Sequence, residues 1–145
     1  MKFKSITMEN FMRYKGVNTI EFSCDPGKNV TVVLGDNTVG KTTIAQAFRF
    51  GLYGAVNMEK WKNADDYQLL NNDVLAFMDA DSKAAVSVTI VAADEEKQYT
   101  ICRKTIYSRN YPQMTCREFQ KKVSMKIADL QAPDVVCLLY TSPSP

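Results

Sequence analysis

Val30-Thr31-Val32-Val33-Leu34-Gly35-Asp36-Asn37-Thr38-Val39-Gly40-Lys41-Thr42-Thr43 is the stretch that decides how this chain reads. Its first five residues form a nearly continuous β-branched run, the pattern expected of a strand covered on both faces. Beyond it, Ile44, Ala47, Phe48 and Leu52 recur at helical spacing across residues 43–53, and Gly54 stands where a helix would end. Between strand and helix, residues 35–42 match G-x-x-x-x-G-K-[ST], a phosphate-binding pattern that requires this strand–loop–helix context.

The spacing has a mechanical reason. Gly35 lets the chain turn sharply off the strand, and Gly40 lets the backbone pass phosphate oxygens with no Cβ in the way. The amides of residues 37–42 are then expected to point inward as a concave nest at the positive end of the helix dipole. Lys41 reaches the β- and γ-phosphates as a point charge, the Thr42 hydroxyl takes one place in a magnesium shell, and Thr43 bonds the α-phosphate. Lys41 and Thr42 are therefore the candidate catalytic residues, with Thr42 the candidate metal ligand, and a nucleotide with Mg2+ the expected ligand.

Upstream, Phe3, Ile6 and Met8 sit near strand spacing, residues 10–16 read as a polar turn, and Val17, Ile20 and Phe22 suggest a second short strand. Asp25-Pro26-Gly27-Lys28-Asn29 is a turn cluster. Downstream, residues 57–67 read as a surface loop anchored by Trp61, and Leu69, Leu70, Val74, Phe77 and Met78 fit a short amphipathic helix. Residues 84–92 and 97–107 form two strands whose short link, Ala93-Asp94-Glu95-Glu96, suits an antiparallel hairpin. Residues 114–130 fit helix or strand equally.

The segment Val88-Thr89-Ile90-Val91-Ala92-Ala93-Asp94-Glu95 superficially resembles an apolar strand ending in a magnesium-binding Asp and a catalytic Glu, the Walker B arrangement. That role needs a strand parallel to residues 30–34. A hairpin tip, where charged residues are expected anyway, is the better reading. Arg103, Lys104, Arg109, Arg117, Lys121 and Lys122 either face DNA phosphates or form the wet side of a strand or helix, and the second is favoured. Tyr99, Tyr107, Tyr111 and Phe119 read as core or sheet-face residues.

The chain has 145 residues, enough for one domain, and is 46% hydrophobic with a net charge of +2, too mild to argue for nucleic acid from composition. With no histidine, histidine-based catalysis is excluded within the chain. Cys24, Cys102, Cys116 and Cys137 are widely spaced, which disfavours a zinc site or disulfide framework and fits reduced thiols in the cytoplasm. No stretch has the length and apolarity of a membrane span or signal peptide, so no membrane role is expected. The last nine residues, 137–145, resemble translated sequencing-adapter read-through, the alternative being a genuine disordered terminus; on the first reading, which is favoured, the natural protein continues beyond residues 1–136.

Strand, Asn10-Phe11-x-x-Tyr14, a second strand ending in Phe22, then Lys28-Asn29-Val30 leading into Gly35-x-Asn37-x-x-Gly40-Lys41-Thr42-Thr43 resembles the N-terminal ATPase half of the SMC-like family. That family includes ABC-type repair ATPases and the DNA sulfur-modification ATPases. Leu52-Tyr53-Gly54 and Tyr99-Thr100-Ile101-Cys102-Arg103 look like the DndD-type branch, and the resemblance covers about residues 2–110. It implies an α/β fold, the N-terminal lobe of a P-loop NTPase (ABC-ATPase-like), with a mixed sheet, an antiparallel hairpin and only part of the domain present. It implies Asn37, Gly40, Lys41, Thr42 and Thr43 as phosphate or magnesium contacts, with residues 10–14 near the nucleotide; the expected nucleotide-binding set is the whole loop, Gly35, Asp36, Asn37, Thr38, Val39, Gly40, Lys41, Thr42 and Thr43.

Family members usually carry Gly where this chain has Thr38, and many have Arg directly after the Asn-Phe pair, where this chain has Met12; Arg13, next in line, completes the nucleotide-binding set. As partners the resemblance implies ATP, the C-terminal half of the chain's own ATPase head, a head-to-head homodimer, DNA and a nuclease. The expected function is ATP binding by an SMC-like head acting on DNA in repair or anti-phage defence. Hydrolysis awaits the Walker B and signature segments, which this sequence lacks. The alternatives are a transporter-type ABC subunit and a non-catalytic, nucleotide-stabilised interaction module.

Overall fold

The computed structural model describes residues 1–36, 39–56, 68–131 and the backbone of 135–143. Trp61 and the loop expected at 57–67 lie outside the described residues. The elements are β1 (Lys2–Phe11), β2 (Tyr14–Glu21), α1 (Lys41–Tyr53), α2 (Asn72–Ala76), β3 (Lys83–Ala93), β4 (Lys97–Arg109), β5 (Cys116–Asp129) and β6 (Val135–Pro143).

All six strands join one sheet in the order β2-β1-β3-β4-β5-β6, and every neighbouring pair is antiparallel. The expected hairpin is present as β3 and β4. The expected mixed sheet is not, because each strand returns beside its predecessor or, for β3, beside β1, and the described residues contain no parallel pair. Residues 114–130, undecided by periodicity, supply β5, whose pairing along the whole of β4 settles the choice.

Alternation gives the sheet two unlike faces. Ile6 lies opposite Ile90 and Met8 opposite Val88 on one face, where all four are buried. Between them, Thr7 opposes Thr89 and Thr19 on the other face, and the Thr7 and Thr19 hydroxyls lie 3.0 Å apart. Helix α1 covers the apolar face with Ile44, Ala47 and Phe50, and Leu69, Leu70, Leu75 and Met78 close the core beside it. Gly51 permits the close approach: a Cβ there would lie 2.6 Å from Ile90 Cδ1. The helix stops as expected, with Gly54 at φ 77° and its N–H donating to the Phe50 carbonyl at 2.8 Å. None of the helices described is long and apolar enough to cross a membrane.

The largest departure is at residues 30–34, expected as a strand buried on both faces. The segment pairs with no described strand and is open to solvent, Val30 being 76% and Leu34 87% exposed. β-Branched residues favour an extended backbone, but burial is conferred by neighbouring elements, and none of those described lies against it.

Cys116, at the start of β5, shows what partial burial does to a thiol. Desolvation, helped by the nearby Glu118 carboxylate, pushes its pKa up to about 11 from an ordinary 9.0. The folded chain therefore holds this proton more tightly than the unfolded chain does. The resulting stabilisation is full below about pH 9 and is lost as pH rises toward the folded value. We expect the urea midpoint to fall between those two pH values, and to fall less in Cys116→Ala; parallel pH profiles would contradict the assignment.

Candidate functional site

The loop between residue 34 and α1 places its described residues as follows. Gly35, Asp36, Val39, Lys41 and Thr42 are exposed, whereas Gly40 and Thr43 are buried. Asn37 and Thr38 lie outside the described residues. Gly40 precedes the helix with φ 109° and ψ 12°, a left-handed conformation that side chains rarely adopt. Its carbonyl accepts the first helical hydrogen bond, from the Ile44 N–H at 3.3 Å. No side chain caps the start of α1. The amides of residues 41–43 are thus donors with no partner inside the helix, at its electropositive end. Lys41 folds back over the loop, its Nζ donating to the Gly35 carbonyl.

The β1–β2 connection comes to this turn. The strands close more tightly than the polar turn expected over 10–16: Phe11 pairs with Tyr14, leaving only Met12 and Arg13 between. Asn10 and Met12 both take φ 50° to do so. Arg13 is exposed at the tip, and Tyr14 packs on Gly40, its hydroxyl donating to the Gly40 carbonyl at 3.3 Å. Burial pushes the Tyr14 phenol pKa up, so the hydroxyl keeps its proton for that bond.

Asn71 holds the tip from the other side. Its Nδ2 donates to the Met12 carbonyl at 2.8 Å, and its N–H to the Asn10 carbonyl at 2.9 Å. Its Oδ1 caps α2 by accepting from the N–H groups of Asp73 and Val74. Sequence reading passed over this residue, although an Asn just ahead of an acidic first turn is a helix-start signal.

The acidic pair at the β3–β4 turn stands apart. Asp94 Oδ1 accepts the N–H groups of Lys97 at 2.7 Å and Glu96 at 2.9 Å, and these bonds hold its carboxyl pKa below the ordinary value. Asp94 and Glu95 are thus solvated turn residues, as expected. The described residues contain no group of three or more His, Cys, Asp or Glu side chains able to hold a metal.

Two of the basic candidates are structural. Arg103 is half-buried under the end of α1, where its Nε donates to the Gly51 carbonyl at 3.4 Å and desolvation lowers its pKa. It lines a cavity of about 370 Å³ with Phe50, Tyr107 and Cys116, away from the phosphate-loop candidates. Arg109 donates to the carbonyls of Met78 at 2.7 Å and Gln113 at 2.9 Å, clasping the β4–β5 loop to the segment after α2. Arg117, Lys121 and Lys122 are exposed, and Lys121 pairs with Glu118 at 2.7 Å. Of the aromatic candidates Tyr107 is buried, while Tyr111 and Phe119 are 58% and 48% exposed; they sit on arginine and lysine, Arg109 over Tyr111 and Lys83 over Phe119.

Compared with known proteins, residues 5–136 match the family model described as an AAA domain. No curated protein matches the chain.

Proposed function

The chain belongs to the AAA domain family, a family of nucleotide-binding ATPases that work with Mg2+, and from that premise we propose that residues 35–43 hold the triphosphate tail of ATP. One observation carries the reading: Gly40 turns left-handed into an uncapped helix, with Lys41 arched across the same loop. Amides with no partner inside the helix and an ammonium at the same loop are what a phosphate chain needs. Lys41 supplies charge to the β- and γ-phosphates, the exposed Thr42 hydroxyl serves Mg2+, and Arg13 reaches in from the adjacent tip.

The finer reading is an SMC-like, DndD-type head acting on DNA in repair or anti-phage defence, partnered by a second head and a nuclease. What supports it is the exposed run Val30, Val32, Val33 and Leu34, a β-branched apolar segment that a strand from the C-terminal half of the head would cover. The same half would bring the carboxylates for hydrolysis, since Asp94 and Glu95 are spent at a hairpin turn. On this reading the present chain binds ATP and turns it over little.

The test is a titration with Mg–ATP, read by calorimetry and by melting. At 100 times its dissociation constant the nucleotide should stabilise the fold by about 2.7 kcal/mol, and Lys41→Ala should remove that gain. A chain that shows neither heat nor shift, or a Lys41→Ala variant that responds as strongly, would sink the proposal.

A further inference from the structure

We propose that Tyr14 is a positioning residue for the phosphate-binding turn, setting the direction of the Lys41 amide through the Gly40 carbonyl rather than by touching nucleotide. The proposal rests on the reading of residues 35–43 as the phosphate site and adds to it the element that holds the site in shape.

The argument starts from peptide geometry. The Gly40 carbonyl and the Lys41 N–H belong to one rigid plane and point in opposite directions. Whatever anchors the carbonyl therefore aims the amide. Two donors converge on that carbonyl, the Ile44 N–H from within α1 and the Tyr14 hydroxyl from β2, both at 3.3 Å. The Tyr14 ring adds a steric hold. Its Cε2, Cζ and hydroxyl oxygen lie 3.3 to 3.4 Å from where a Cβ on Gly40 would stand, so the ring fills the space beside the left-handed residue.

A strut is useful only if its far end is fixed. The connection behind Tyr14 carries two non-glycine residues with φ 50°, Asn10 and Met12; asparagine takes that conformation readily, but for methionine it persists only where surroundings over-determine it. They do so here. The Met12 N–H donates to the Leu69 carbonyl at 2.6 Å, and Asn71 binds the carbonyls of both Asn10 and Met12. The tip is held on the 69–71 side and presses Tyr14 onto Gly40 on the other.

The experiment compares the unaltered full chain with Tyr14→Phe, Tyr14→Ala and Lys41→Ala, measuring ligand-free melting and the affinities of Mg–ATP and of Mg–tripolyphosphate. Tyr14→Phe keeps the ring but loses one hydrogen bond, so it should still fold, melt slightly below the unaltered chain and bind ATP about threefold more weakly. Tyr14→Ala, lacking ring and hydroxyl, should lose more; if it does not fold, Tyr14→Phe still decides. Tripolyphosphate should weaken by the same factor as ATP, because the turn alone is affected. A loss confined to ATP would mean that Tyr14 touches base or sugar and would overturn the proposal, as would unchanged affinity in Tyr14→Phe. Binding that needs Lys41 but ignores Tyr14 would remove this inference and leave the phosphate site standing. Absence of binding by the unaltered chain, or Lys41→Ala binding as tightly, would remove both.

Discussion

Phe11→Ala should cost the fold about 3–5 kcal/mol, the range for deleting a large buried ring. The side chain is 0% exposed at the end of β1. Its ring centroid lies 5.6 Å from that of Phe50 on α1, and its backbone bridges to Leu70. The residue thus joins the sheet, helix α1 and the 69–75 segment. An alanine there leaves a void that all three elements would have to move to fill. Against a total stability of about 5–15 kcal/mol for a domain, such a loss brings the chain near its unfolding threshold. Urea unfolding checks it, and the midpoint should drop with little change in slope. A cost under about 1 kcal/mol would mean that the ring is not where these three elements meet.

Asn71→Ala should cost about 2–4 kcal/mol, which is large for a polar residue. One part is the helix cap, worth about 1 kcal/mol. Another is the Met12 carbonyl, which would lose its donor in a partly buried place, at about 1–3 kcal/mol. The residue itself is 6% exposed, so water does not readily replace it. Asn71→Asp separates the two roles. Aspartate caps a helix as well as asparagine does, but it offers a second acceptor oxygen where the Met12 carbonyl needs a donor. The expected result is an Asp variant as unstable as the Ala variant or more so. An Asp variant of unaltered stability would show that capping is the whole of the contribution and that the strained tip needs no clamp.

The backbone around the candidate site was partly legible in the sequence. The pattern at residues 35–42, the helix after it and its stop at Gly54 are local matters, in which glycine spacing and a 3.6-residue period act within a few residues of one another. The β3–β4 hairpin was legible for the same reason, four residues being too few for another connection. The approach of the β1–β2 tip to the turn before α1 was expected only through the resemblance, and the positive φ of Met12 was not foreseen. Arg103 and Arg109 read as surface cations because a sequence does not display the backbone carbonyls that they meet.

The amino-acid order by itself determined the turns near residues 25–28 and 93–96, and where α1 begins and ends to within two residues. Those follow from the preferences of neighbouring backbone torsions. Only the tertiary structure decided that residues 30–34 stand exposed, that 116–129 form a strand, and that Tyr14 reaches Gly40 across 26 residues. Each of these depends on which distant segment supplies a hydrogen-bond partner or covers a side chain. An apolar run carries the same composition whether or not a neighbouring strand exists to bury it.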